Sequence, residues 1–375
     1  MNRAIVLGLL AACGGGSTGN NTADASHDGP QFSTDGSGMF GNGPVIAGCP
    51  ILPDDHIFNT KIDSLPVDPN SAAYITTIGG AVKLHLDLGP QTDQTQGDFY
   101  GIPYNVVAAQ AMTWPTVAYT SPDPNLNWDP TTESDCADAN HSVVSPCPIS
   151  SPHLPIPASV LVEGGISTAV DHQPYGDHHI LVLDTDSCQL WETYHSYDVS
   201  NQWQIFGSAV FDLRSNNLRP ATWSSADAAG FPILPLLLKA DEATSGEIKH
   251  ALRFTILTSK IRGSYAWPAT HESSNGTSTS QPPYGQLFRL KASYTIPSTF
   301  NTQSRAILTA MKTYGMYIAD GGSDMYVTGD PSASWLGSTF TEVQSVPASQ
   351  FEAVDLSSIK TRAGWSATSA AVPPP

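Results

Sequence analysis

Positive charge is scarce in this chain. Sixteen Lys and Arg stand against 34 Asp and Glu among 375 residues, a formal net charge of -18. So acidic a surface repels phosphate backbones, which excludes nucleic acid as a partner, and it argues against passive adhesion to anionic lipid. Charge of either sign is thin, at 13% of residues, so long solvent-facing helices are not expected. Long hydrophobic runs are missing as well: the apolar stretch Ala4 to Ala12 is too short to span a bilayer. There is no HExxH, no Walker loop and no CxxC, and no serine sits in a nucleophile context. Those absences remove the zinc peptidase, nucleotide hydrolase and thiol redox classes.

What is abundant is Gly (31), Pro (30) and aromatic side chains: 8 Trp, 13 Tyr and 12 Phe. That mixture predicts many short strands joined by turns around a large core. The stretch from Asp177 to Ile256 is the organising centre. Ile180 to Leu183 reads as a strand, Asp184 to Ser187 as a turn, Gln189 to His195 as a second strand and Trp203 to Leu213 as a third. Leu190, Glu192 and Tyr194 share one face of the second strand; Trp191, Thr193 and His195 share the other. Ser224 to Gly230 reads as a short capped helix, and Leu236 to Ala243 as a further helical turn ending near Gly246. Ile248 to Thr255 alternates as a strand. Elsewhere, strands are expected in Ile57–Ile62, Val82–Leu88, Tyr104–Ala109, Thr116–Tyr119, Leu287–Ile296 and Met316–Ala319. Ser71 to Ile78 fits either helix or strand. The spacing of Ile307, Leu308, Met311 and Tyr314 predicts a helix over 302–314, stopped at Gly315. The fold class is therefore mainly β (α+β), a two-sheet β-sandwich or jelly roll with one or two peripheral helices.

The N-terminus carries an address. Met1-Asn2-Arg3 is followed by the apolar run, and Leu10-Ala11-Ala12-Cys13 resembles the lipobox of bacterial lipoproteins. The resemblance implies a signal peptide over 1–12, a lipidated Cys13 and export to the cell envelope, with membrane contact only through the lipid. Residues 13–44, rich in Gly, Ser, Asn and Thr, are expected to form a disordered tether, 45–362 a single β-rich domain, and 363–375 a disordered tail. The remaining cysteines, Cys49, Cys136, Cys147 and Cys188, allow three pairings. A local Cys136–Cys147 bridge would staple the long polar loop, and Cys49–Cys188 would then tie the N-terminal arm to the central hairpin. Several words, among them Ser225-Ala226-Asp227-Ala228-Ala229-Gly230, His250-Ala251-Leu252-Arg253-Phe254-Thr255 and Tyr314-Gly315-Met316 leading to Ala319-Asp320-Gly321-Gly322-Ser323, resemble uncharacterised secreted bacterial proteins. That resemblance implies no activity.

Acidic residues lie beside aromatic ones, the combination used to cleave or bind glycans. Glu192, Glu242, His250 and Asp320 are the candidate catalytic groups. Trp191, Tyr194, Arg253, Asp212 and Asp227 are the candidate substrate contacts. His250 would be a general base oriented by Glu242, and Arg253 a clamp for a substrate carboxylate. Asp171, His172, Asp177, His178 and His179 crowd one segment, but it reads as a solvated acidic loop, so no metal ligand is assigned. No cofactor is expected; calcium on the Asp-rich turns is the one cation the composition favours. The expected function is an exported, lipid-anchored glycoside hydrolase or polysaccharide lyase acting on a polysaccharide or oligosaccharide. The alternative is a non-catalytic glycan-binding or structural lipoprotein.

Overall fold

Strand β1 (His85–Asp87) opens the regular structure after helix α1 (Ser71–Ile78). There follow β2 (Tyr104–Val107), β3 (Val117–Tyr119), β4 (Ile180–Asp184), β5 (Gln189–Val199) and β6 (Gln202–Asp212). Then come α2 (Ala240–Ser245), β7 (Leu252–Ile256), β8 (Leu287–Leu290), α3 (Thr302–Thr313), β9 (Met316–Gly321), β10 (Tyr326–Thr328), α4 (Gly337–Val343) and β11 (Phe351–Ala353). These elements come from a computed structural model that describes residues 43–121, 123, 126, 129–165 and 176–375. The expected signal peptide, Cys13, the tether to residue 42, and Asp171 and His172 lie outside the described residues.

The architecture is mainly β, with two large mixed sheets. The first runs β2-β4-β5-β6-β3, the second β11-β8-β9-β7-β10-β1. In the first, β4, β5 and β6 form an antiparallel meander, and β2 and β3 add parallel to its two edges. The run Ile180-Leu181-Val182-Leu183 is apolar without alternation because both of its faces are covered. Leu181, Leu183 and Leu190 join Leu252, Phe254, Ile256, Met316 and Ile318 of the second sheet in one apolar cluster. Ile180, Val182 and Trp191 face the other way, into a smaller cluster with Trp114, Val117 and Ile205. Helix α3 starts where the Asn301 side chain accepts from the Ser304 amide, and it buries Ile307, Leu308 and Met311. It ends before Gly315, whose φ of 79° and backbone contact would admit no Cβ: one built there would stand 2.6 Å from the Phe288 carbonyl oxygen.

Both disulfides form as the loop arithmetic suggests, Cys49–Cys188 and Cys136–Cys147. Two such bridges fit an oxidising, extracellular environment. Among the described residues no helix is long and apolar enough to cross a membrane.

Three local expectations are corrected. Ile57–Asn59 is a 3-10 turn, not a strand, because the His56 ring accepts from the Phe58 amide and closes the backbone locally. Ser224–Gly230 is a loop, not a helix: the Ser225 hydroxyl accepts from the Asp227 amide and donates to the Phe231 carbonyl, and this local bonding replaces a helical ladder. The tail 363–375 is not disordered. Ala370 is fully buried, its amide donates to Asn216, its carbonyl accepts from Ile57, and the Val372 amide donates to Asp55. A composition of small residues and proline hid the fact that this segment completes the backbone bonding of two distant loops.

Candidate functional site

Between the two sheets lies a cleft of about 470 Å³. Tyr194 and Phe206 of the first sheet form one wall, Asp320 and Gly321 of the second another, and the loops carrying Glu133–Ser134, Asp177, Ser224–Ser225 and His271–Ser273 complete it.

Asp320 reaches this cleft because of a break in register. Ile318 of β9 pairs with Phe254 of β7, yet the next pair is Asp320 with Thr255. Ala319 is the extra residue of a β-bulge, and its carbonyl accepts from the Ala229 amide. Strict alternation would place Asp320 on the same face as the buried Ile318; the bulge turns it off that face. Its carboxylate accepts from the Gly321 amide (2.6 Å) and the Ala228 amide (3.2 Å). Burial first, then the charges of Asp227 and Asp177, push its pKa up to about 8, against the opposing charge of Arg253. The shift favours the protonated form, a carboxylic acid with a proton to give.

Beneath the cleft, Asp227 and Arg253 form a bidentate pair. Arg253 Nη2 donates to Oδ1 at 3.0 Å, Nε to Oδ2 at 3.2 Å, and Nη1 to the Thr328 hydroxyl at 2.7 Å. Both residues are buried. Arg253 is therefore engaged within the protein and does not clamp substrate, and Asp227 is its counterion.

Glu192 is fully buried and lies outside the cleft lining. Its carboxylate accepts from the Ile233 amide at 2.8 Å and the Leu234 amide at 2.9 Å, capping the 3-10 turn Leu234–Leu236. Burial pushes its pKa up to about 7. Glu242 and His250 do meet, Oε2 to Nε2 at 2.8 Å, as the sequence suggested. They do so in a separate buried cluster with Lys239, whose Nζ lies 3.3 Å from Glu242 and 3.1 Å from His250. Burial works to raise the Glu242 pKa, but Lys239 and then His250 outweigh it and hold the group below its ordinary range. This cluster ties α2 to the segment entering β7; it does not line the cleft. Trp191 is buried edge-on against Trp114, with ring centroids 5.7 Å apart, so no sugar can stack on it. Asp212 is half exposed beside Arg214 and lines a different, smaller cavity.

Of the nine candidate residues, then, Tyr194 and Asp320 line the cleft, with Asp227 and Arg253 directly behind. Sequence reasoning passed over Glu163, His271 and Glu272. The adjacent His271 and Glu272, close behind Trp267-Pro268, were the available signal for the last two; Glu163 before Gly164-Gly165 was the signal for the first.

Three buried carboxyls set a pH dependence. Burial pushes Glu192 up to about 7, and Asp320 and Asp330 up to about 8. In each, the folded state holds a proton that the unfolded chain has released. Stability therefore rises as pH falls from about 8 toward 6.5, by a few kcal/mol on the order of one pKa unit's worth per group. Below the ordinary histidine range the gain is shallower, because buried His56 and His178, both held neutral by burial, begin to favour the unfolded chain. Thermal melts across this range should show a Tm several degrees higher at pH 6.5 than at pH 8. Asp330→Asn, which keeps an acceptor for the Ala240 amide, should shallow that slope.

No family model, curated protein or solved structure matches the chain.

Proposed function

We propose that this chain is an exported carbohydrate-active enzyme, a glycoside hydrolase whose general acid is Asp320. The observation that supports the reading is a carboxyl whose pKa burial and neighbouring acids push up, set in a cleft that three further acids, Glu133, Asp177 and Glu272, also line. Glycosidic cleavage needs that combination: an acid to protonate the leaving oxygen and an ionised carboxylate to activate water or attack the sugar. Tyr194 and Phe206 offer ring surface on one wall. Arg253, already engaged by Asp227 and Thr328, does not supply the cation with which a lyase would neutralise a uronate. The proposal includes the anchor: Cys13 carries lipid, and the two-disulfide body works at the cell envelope on a polysaccharide or oligosaccharide.

The test is a screen of the purified protein against neutral and acidic polysaccharides. Reducing ends and the ultraviolet absorbance of unsaturated products are recorded together. Reducing ends without unsaturated product are expected for at least one glycan. Silence across the panel from folded protein would sink the enzyme reading, and retention on a glycan column without turnover would replace it with the binding module.

A further inference from the structure

One group of ligand-type side chains stands at the edge of the cleft that Asp320 lines. Glu163 precedes the Gly164-Gly165 turn, and Asp177 and His179 lead into β4. Glu163 and His179 are clasped backbone to backbone and backbone to side chain. The Glu163 amide donates to the His179 carbonyl at 3.0 Å, and the His179 amide donates to Glu163 Oε2 at 3.3 Å. The His179 ring is only 4% exposed in its side chain. Its Nδ1 donates to the Thr193 carbonyl at 2.9 Å. That bond orients the ring so that Nε2 faces the carboxylates, the arrangement by which proteins present an imidazole to a metal. Nε2 stands 4.0 Å from Glu163 Oε2, beyond hydrogen-bond reach. One ligand atom each from Glu163, Asp177 and His179 lies within 4.8 Å of the others. Ligands bound at ~2.1 Å stand roughly 3.4 Å apart around a tetrahedral ion. Small rotations of Asp177, which is exposed, and of Glu163, which is partly exposed, close the difference.

We propose that Glu163, Asp177 and His179 bind a divalent transition cation of the zinc–manganese class at the edge of the cleft that Asp320 lines. The buried imidazole argues against calcium, which takes oxygen ligands. Three protein ligands on one side leave the exposed side for water or a sugar hydroxyl. The site stands on its own geometry. One consequence rests on the hydrolase reading: with Asp177 committed to the cation, Glu133 and Glu272 are the cleft carboxyls left to partner Asp320.

Calorimetric titration of chelator-stripped protein with Zn2+, Mn2+ and Ca2+ tests the site without any substrate. One saturable Zn2+ or Mn2+ site per chain is expected, weakened at least about tenfold by His179→Gln and by Asp177→Asn. Asp177 is exposed, so its variant should keep the parent melting temperature and separates lost ligation from lost folding. The assignment is overturned by no saturable binding of either ion, by binding that both variants leave unchanged, or by calcium binding as tightly. Sugar release plays no part in this readout, so failure of the hydrolase reading would leave its result standing.

Discussion

Arg253→Leu is expected to cost about 3–5 kcal/mol of folding stability, the usual penalty for stripping one partner from a buried ion pair. Asp227 has no exposed side-chain surface and Arg253 has 5%. Removing the guanidinium leaves a carboxylate in the interior with neither its counterion nor two of its hydrogen-bond donors. The Thr328 hydroxyl loses its donor as well. Exchanging both charged partners for apolar residues should recover much of the loss, because the desolvation of two charges disappears together. Arg214 and Asp212 provide the contrast. That pair is half exposed on both sides, and Arg214→Leu should change stability by less than about 1 kcal/mol. Urea unfolding of the three variants checks the whole set. A loss of under 1 kcal/mol for Arg253→Leu would mean that the pair is wet.

Asp320→Asn is expected to lower kcat for glycan hydrolysis by roughly 10²–10⁴. The amide keeps the size and one acceptor of the acid but has no proton to give. The parent profile should lose activity on the alkaline side near pH 8, where Asp320 ionises. Residual activity in the variant should lack that limb. Glu192→Gln separates chemistry from folding, since Glu192 caps a buried turn and does not touch the cleft. It should change stability and leave the alkaline limb in place. An unchanged limb in Asp320→Asn would remove Asp320 from the acid role.

Much of the scaffold was legible because local rules and the tertiary structure agree. The meander from Ile180 to Asp212, the helix at 302–313 with its stop at Gly315, and the choice among disulfide pairings follow from period, turn chemistry and loop length. The site was only partly legible. Alternation puts Glu192 and Tyr194 on one face of β5, and they are on one face. The segment 231–236 covers Glu192 and leaves Tyr194 at the cleft, and nothing in strand spacing says where a distant segment will lie. Asp320 owes its position to a bulge, which a two-residue period does not foresee. The C-terminal segment reads as a solvated tail until its backbone partners, Asp55, Ile57 and Asn216, are known.

The bridge between Cys49 and Cys188 joins positions 139 residues apart. Tension arriving along the chain from upstream of residue 49 crosses this covalent link directly into the turn between β4 and β5. The chain between the two sulfurs becomes a closed ring that carries no load until the bond is reduced. Strands β1, β2, β3 and β4 all lie inside that ring. A domain pulled from its N-terminal side would thus lengthen only from Cys188 onward, keeping these strands out of the extending length.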